Sequence, residues 1–149
     1  MTPKTKRTIL FTVLGLIAIG AGVGYCLYNK KPLNPNDVSP DTRITSTELY
    51  RAFTKDTVAA MKKFSLKEKV VEVSGTVSGI SQNQDKQAIL LLKTDEEGAS
   101  VNCTMEGPAE NIKEGDNVNI KGFCPGLGAG DADLGIMADV YMIRCYLVK

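Results

Sequence analysis

Twenty consecutive residues without a charge, Ile9 to Tyr28 (ILFTVLGLIAIGAGVGYCLY), set the first constraint on this chain. As a helix rising 1.5 Å per residue they extend about 30 Å, the thickness of a bilayer's hydrocarbon. Lys4, Lys6 and Arg7 precede the run, and Tyr25, Tyr28, Lys30 and Lys31 close it, which are the cationic and aromatic flanks that anchor a span at its two interfaces. The expectation is a short basic N-terminus over 1–8 and a transmembrane helix over 9–28. A cleaved signal peptide competes with it, because Gly22 and Gly24 have the small-residue spacing of a cleavage site. A lipid anchor on Cys26 fits less well, since the bulky Tyr25 stands before it. Gly20 and Gly24 have GxxxG spacing, which lets membrane helices pack closely, although glycine is common in spans generally.

Each of these readings sends the remainder of the chain across the membrane. Three basic residues before the run against two after it favour an inside N-terminus. The expected location is the inner (cytoplasmic) membrane, single-pass, with the C-terminal domain in the periplasm or at the cell exterior. Charge divides the same way: residues 1–31 carry +5, and residues 32–149 hold 13 basic against 17 acidic residues, a net of −4. About 110 residues of ordinary soluble character are left beyond the run, enough for one small core. The chain has no histidine, which removes Ser-His-Asp and Cys-His nucleophilic pairs, histidine acid/base work and histidine-ligated zinc or haem.

Lys31 to Arg43 (KPLNPNDVSPDTR) has three prolines and no apolar period, so residues 29–44 read as a linker. Thr45-Ser46-Thr47-Glu48 then has the S/T-x-x-E pattern of a capping box. Leu49, Ala52, Phe53, Ala59, Ala60 and Phe64 follow near helical spacing, and predict one amphipathic helix over about 46–63. After it the period changes to two. Strands are expected at Val70–Ile80, with Gly75 and Gly79 placed for a bulge or bend, and at Gln87–Lys93. A third runs over Ala99–Met105, where Val101, Cys103 and Met105 share one face and Asn102 and Thr104 the other. Gly107 to Glu114 reads as a helical turn or short helix. Asn117–Cys124 and Ala138–Val148 complete the set. Five strands with a helical turn between the third and fourth is the order of an OB-fold barrel. The fold class is therefore mainly β: a five-stranded OB barrel over 45–149, preceded by an amphipathic helix and by the N-terminal transmembrane helix. A five-stranded sheet of different topology is the alternative.

ELYRAF, KKFSLKEKVVEVSGTVSGI, VNCTM, GDNVNIKGFC and DVYMIRC carry a resemblance. Over Thr45 to Lys149 the chain resembles the bacterial tRNA-anticodon-like OB-fold family, most specifically in the Lys69–Val77 strand, Val101–Cys103 and Ile120–Cys124. The resemblance implies the OB fold and an exported or membrane-attached protein, and it brings no catalytic residue. The glycine-rich stretch between Gly126 and Ala138 departs from the family's usual pattern. The chain is also similar in architecture to the haem chaperone of cytochrome c maturation, whose haem is attached through a histidine that this chain lacks.

Three cysteines lie beyond the apolar run. In an OB barrel the third and fifth strands are parallel neighbours, which makes Cys103 and Cys145 the candidate disulfide, with three buried apolar thiols as the alternative. No C-x-x-C spacing supports a metal site. Gly126, Leu127, Gly128, Gly130, Asp131 and Asp133 form a connection where OB folds commonly bind ligands, and are the candidate interaction loop, read as a solvated turn. They miss a nucleotide-binding glycine fingerprint and an EF-type calcium loop. Residues 65–122 contain no Phe, Tyr or Trp, and stacking of single-stranded nucleic acid needs aromatics there. The expected function is a non-catalytic binding module without a cofactor, whose partner is a protein or another envelope component. A single-stranded nucleic-acid binder facing the cytoplasm is the alternative.

Overall fold

The computed structural model describes the backbone of residues 3–29, 31–65, 69–131 and 133–148, and side chains within those ranges from Thr12 onward. The chain divides into two compact units, residues 1–33 and 34–149.

The first unit is helix α1, Pro3–Tyr28. Its described apolar side chains, among them Leu14, Ile17, Ile19, Val23 and Leu27, are all exposed and distributed around the axis. Among the described residues no helix is long and apolar enough to cross a membrane. The first residues of the uncharged run, Ile9 to Phe11, and the basic flank Lys4, Lys6 and Arg7 lie outside the described side chains.

The second unit starts earlier than its apolar pattern suggests. Asn34 caps a 3-10 turn over Pro35–Asp37, its Oδ1 accepting the Asn36 N–H at 3.0 Å. Strand β1, Thr42–Thr45, begins inside the segment read as linker and pairs in parallel with the following strand. Asp41 makes the junction: its N–H donates to the Val70 carbonyl at 2.8 Å, and its carboxylate accepts the Val70 N–H at 2.8 Å. Four residues have no legible period of their own, and this strand exists because a partner 29 positions along supplies its ladder.

The helix expected over 46–63 is two helices, α2 (Ser46–Lys55) and α3 (Thr57–Phe64). The capping box forms as the sequence indicates, with Thr45 Oγ1 accepting the Glu48 N–H and Glu48 accepting the Thr45 N–H, both at 3.2 Å. The break falls at Asp56, whose extended backbone (φ −154°) ends one helix while its carboxylate accepts the Ala59 N–H at 2.9 Å and starts the next. An aspartate favours a cap over a helix interior.

The barrel strands are β2 (Val71–Gln82), β3 (Ala88–Lys93), β4 (Ser100–Met105), β5 (Asn117–Leu127) and β6 (Val140–Leu147). They pair β2-β3-β4-β6-β5, and β5 pairs again with β2, which closes the barrel. All pairs are antiparallel except β4–β6, the parallel neighbours. The β2–β3 register shifts between Val77 and Gly79, the bulge expected at that glycine. Val71, Val73, Val77, Leu90, Leu92, Val101, Ile120 and Met142 point inward. Helix α2 packs against β2, β3, β4 and β6, and α3 against β5, so the pair covers one end of the barrel with Leu49, Phe53 and Phe64.

Two further expectations are corrected. Residues 107–114 form turns with no helix, because Asn111, in the middle of the segment, has φ +67°, outside the right-handed helical region. Strand β5 runs past Cys124 through Pro125 to Leu127, with Gly126 paired to Tyr141 and Leu127 to Val140. Pro125 is tolerated because it lies at a register irregularity, where no ladder N–H is required of it.

Candidate functional site

Gly126 and Leu127, the first two residues of the candidate loop, therefore belong to the barrel wall. The described residues of the rest form a hairpin tip closed by one isolated bridge. Asp131 and Ile136 exchange both backbone hydrogen bonds at 2.8 Å, and Asp131 Oδ1 accepts the N–H groups of Asp133 (3.0 Å) and Leu134 (3.2 Å). The arms approach so closely at Gly130 that a β-carbon there would stand 2.8 Å from the Ala138 nitrogen. The base is tied to the barrel by Gly128 N–H to the Asp139 carbonyl (2.8 Å), and by Asp139 Oδ1, which accepts from both N–H and Oγ–H of Ser100. The tip is a turn exposed to solvent over its described residues 129–131 and 133–137, as the sequence reading has it, and its arms are joined by backbone bonds.

What the hairpin presents is apolar. Leu134 is 72% exposed, Ile136 55% and Met137 41%, with Asp131 and Asp133 also at the surface. Sequence reasoning singled out the loop's glycines and aspartates and passed over these three side chains. The available signal was the unpaired apolar run Leu134-Gly135-Ile136-Met137 in a segment bounded by acids.

The cysteines are brought together. Cys103, Cys124 and Cys145 are buried, free thiols on three barrel strands. Cys103 and Cys145, the candidate disulfide, are neighbours as free thiols: a hydrogen bond with the Cys103 thiol, and then burial, push Cys145 well above the ordinary thiol range. Burial raises Cys124 to about 12. The Cys145 sulfur lies over Gly122, where a β-carbon would come within 2.8 Å of it. Thiols held protonated and away from solvent are poor nucleophiles and metal ligands. Among the described residues no group of three or more Cys, Asp and Glu side chains is arranged to hold a metal ion.

Two surface concavities were not visible in the sequence. A cleft of about 630 Å³ opens where the start of α2 meets β2 and the ends of β3 and β5, and Thr45, Ser46, Thr47, Ser74, Thr76 and Asn117 give it a hydroxyl and amide lining. Ser46 Oγ is already used, donating to the Lys93 carbonyl at 2.6 Å. A groove of about 640 Å³ lies between β1, α2 and α3. Its bottom is apolar, formed by Ile44, Ala52, Ala60 and Phe64. Both depend on elements that only the folded chain juxtaposes.

A closed five-stranded barrel of this strand order, with a helix packed under it and a long β5–β6 connection, defines an OB-type protein. The tRNA_anti-like family matches residues 1–133, and the chain belongs to that family. The matched range takes in the N-terminal segment and ends within the β5–β6 hairpin, whereas the resemblance in the sequence spans Thr45 to Lys149. No curated protein matches the chain.

Proposed function

We propose that this chain is a membrane-anchored OB-type binding module that acts outside the cytoplasm, without catalysis, through its β5–β6 hairpin. The partner is a protein or another component of the envelope. The observation that carries this reading is the hairpin: backbone hydrogen bonds join its arms and the Asp139 tie anchors its base, and it exposes Leu134, Ile136 and Met137. A surface that leaves three large apolar side chains in water gains their burial on binding. The uncharged run Ile9–Tyr28 and its basic and aromatic flanks support the anchor. Protonated, buried thiols and the absence of histidine support a role without catalysis.

Single-stranded nucleic acid is disfavoured by the residues themselves. Strands β2, β3 and β4 carry no aromatic side chain for base stacking. Glu96 and Glu97 lie in the turn that follows β3 and repel phosphate.

The test uses the full chain in cells, with a reporter active only outside the cytoplasm fused after Lys149 and a photo-cross-linking residue in place of Leu134. Reporter activity in the membrane fraction and a protein adduct from position 134, absent when the cross-linker replaces Lys86, are expected. An intact membrane-bound fusion without activity would overturn the location, and equal adducts from both positions would overturn the hairpin as the contact surface.

A further inference from the structure

The parallel pair of the barrel, β4 with β6, has an interrupted ladder. Val101, Asn102 and Cys103 pair with Val140, Tyr141 and Met142, and the register then slips before Met105 meets Cys145. Arg144 takes up the slip with φ +52°, a left-handed backbone that residues with a β-carbon seldom adopt. Cys103 stands on one side of this interruption and Cys145 on the other, on neighbouring strands, and both are fully buried inside the barrel.

The surroundings pair these two sulfurs and set the third apart. A hydrogen bond joins the Cys103 and Cys145 thiols. Gly122 of β5 makes room for the Cys145 sulfur, since a β-carbon at that position would stand 2.8 Å from it. The sulfur of Cys124 is engaged within its own strand, where it accepts the Gly126 N–H.

We infer that Cys103 and Cys145 are the site of a disulfide that staples β4 to β6 across the slipped register, and that Cys124 stays a thiol. This rests on the location outside the cytoplasm proposed above, where disulfides form and persist. The bond forms as the chain folds, because the closed barrel keeps both sulfurs from solvent. The thiolate of one cysteine attacks the disulfide of a thiol–disulfide oxidant of that compartment and releases one oxidant thiol. The thiolate of the other attacks the resulting mixed disulfide and releases the second oxidant thiol. The two S–H protons and two electrons that the chain loses convert the oxidant's disulfide into two thiols. Closure of the barrel then shields the new bond from reductants.

Trypsin separates the three sulfurs, leaving Cys103 on residues 94–113, Cys124 on 122–144 and Cys145 on 145–149. The full chain with the reporter after Lys149, taken from the membrane fraction, is denatured, alkylated without reductant, digested and mapped by mass spectrometry. Fragment 94–113 should be linked to the fragment that begins at Cys145, with 122–144 alkylated, and the link should vanish when the chain is reduced first. Three alkylated fragments from a chain whose reporter is active overturn the inference, as does a link to 122–144. An inactive reporter overturns the location, and the pairing is then decided by the same map of the full chain refolded in detergent with oxidised glutathione: the 103–145 link upholds it and any other product overturns it. The staple itself is read from urea unfolding. The oxidised chain should have a midpoint about 2 M above the reduced chain. That difference should disappear in Cys145→Ala, and equal midpoints in the parent would mean that the bond holds nothing together.

Discussion

Asp139 and Ser100 are joined by two hydrogen bonds to one carboxylate oxygen, from the Ser100 N–H at 2.8 Å and from its Oγ–H at 2.9 Å. One side chain thereby fixes the base of the hairpin to the first residue of β4, and the carbonyl of the same residue accepts the Gly128 N–H. Asp139→Ala is expected to cost about 2 kcal/mol, the scale of hydrogen bonds to a charged group. Asp139→Asn, which keeps an acceptor oxygen, should cost less. Urea unfolding gives both values, and faster amide exchange at Ser100 and Gly128 should accompany the loss in the alanine variant.

The boundary of the barrel unit makes a second prediction. A fragment covering 34–149 retains the Asn34 turn, β1, the Asp41–Val70 pair and the Lys121 Nζ to Asn36 carbonyl bond at 2.7 Å. One covering 45–149 loses all four and bares the edge of β2. The longer fragment should melt cooperatively at a clearly higher temperature by circular dichroism. Equal melting temperatures would mean that β1 adds nothing to stability.

Asp56 separates the two helices and caps the second. Asp56→Ala should destabilise the protein by about 0.5–2 kcal/mol, the usual range for a lost N-cap. Asp56→Asn, which keeps an acceptor for the Ala59 N–H, should recover most of it in the same denaturant series.

The buried thiols predict an alkaline limit to stability. Burial raises Cys124 from an ordinary value near 9 to about 12 in the folded protein, so above pH 9 the unfolded chain releases a proton that the folded chain keeps. The stabilisation is complete below pH 9 and is lost as pH rises towards 12. Unfolding free energy measured across that window should fall less steeply in Cys124→Ala than in the parent. In the reduced protein Cys103, Cys124 and Cys145 should resist alkylation at pH 8 until denaturant is added.

Much of the barrel was legible because its signals are local. Val101, Cys103 and Met105 alternate with Asn102 and Thr104, and the structure buries the first set and leaves the second half-exposed. The pattern Thr45-x-x-Glu48 needs only its own four residues to form a cap. The Gly79 bulge was legible for the same reason. The candidate loop lies between the last two strands as its spacing indicates, but its glycines and aspartates drew attention away from Leu134, Ile136 and Met137. Those three matter through their exposure, which is a property of the folded surface.

By itself the sequence determined the uncharged run and its flanks, the change from helical to two-residue period, the strand set and hence the barrel order, since each of these is written in residue spacing along a few turns or strand lengths. The tertiary structure decided the rest: β1, which forms only against β2; the groove, which exists only where β1, α2 and α3 meet; and the cluster of Cys103, Cys124 and Cys145 from three strands. Interactions between residues 20 to 40 positions apart leave no period in the chain, because their partners are chosen by closure of the barrel and not by local conformation.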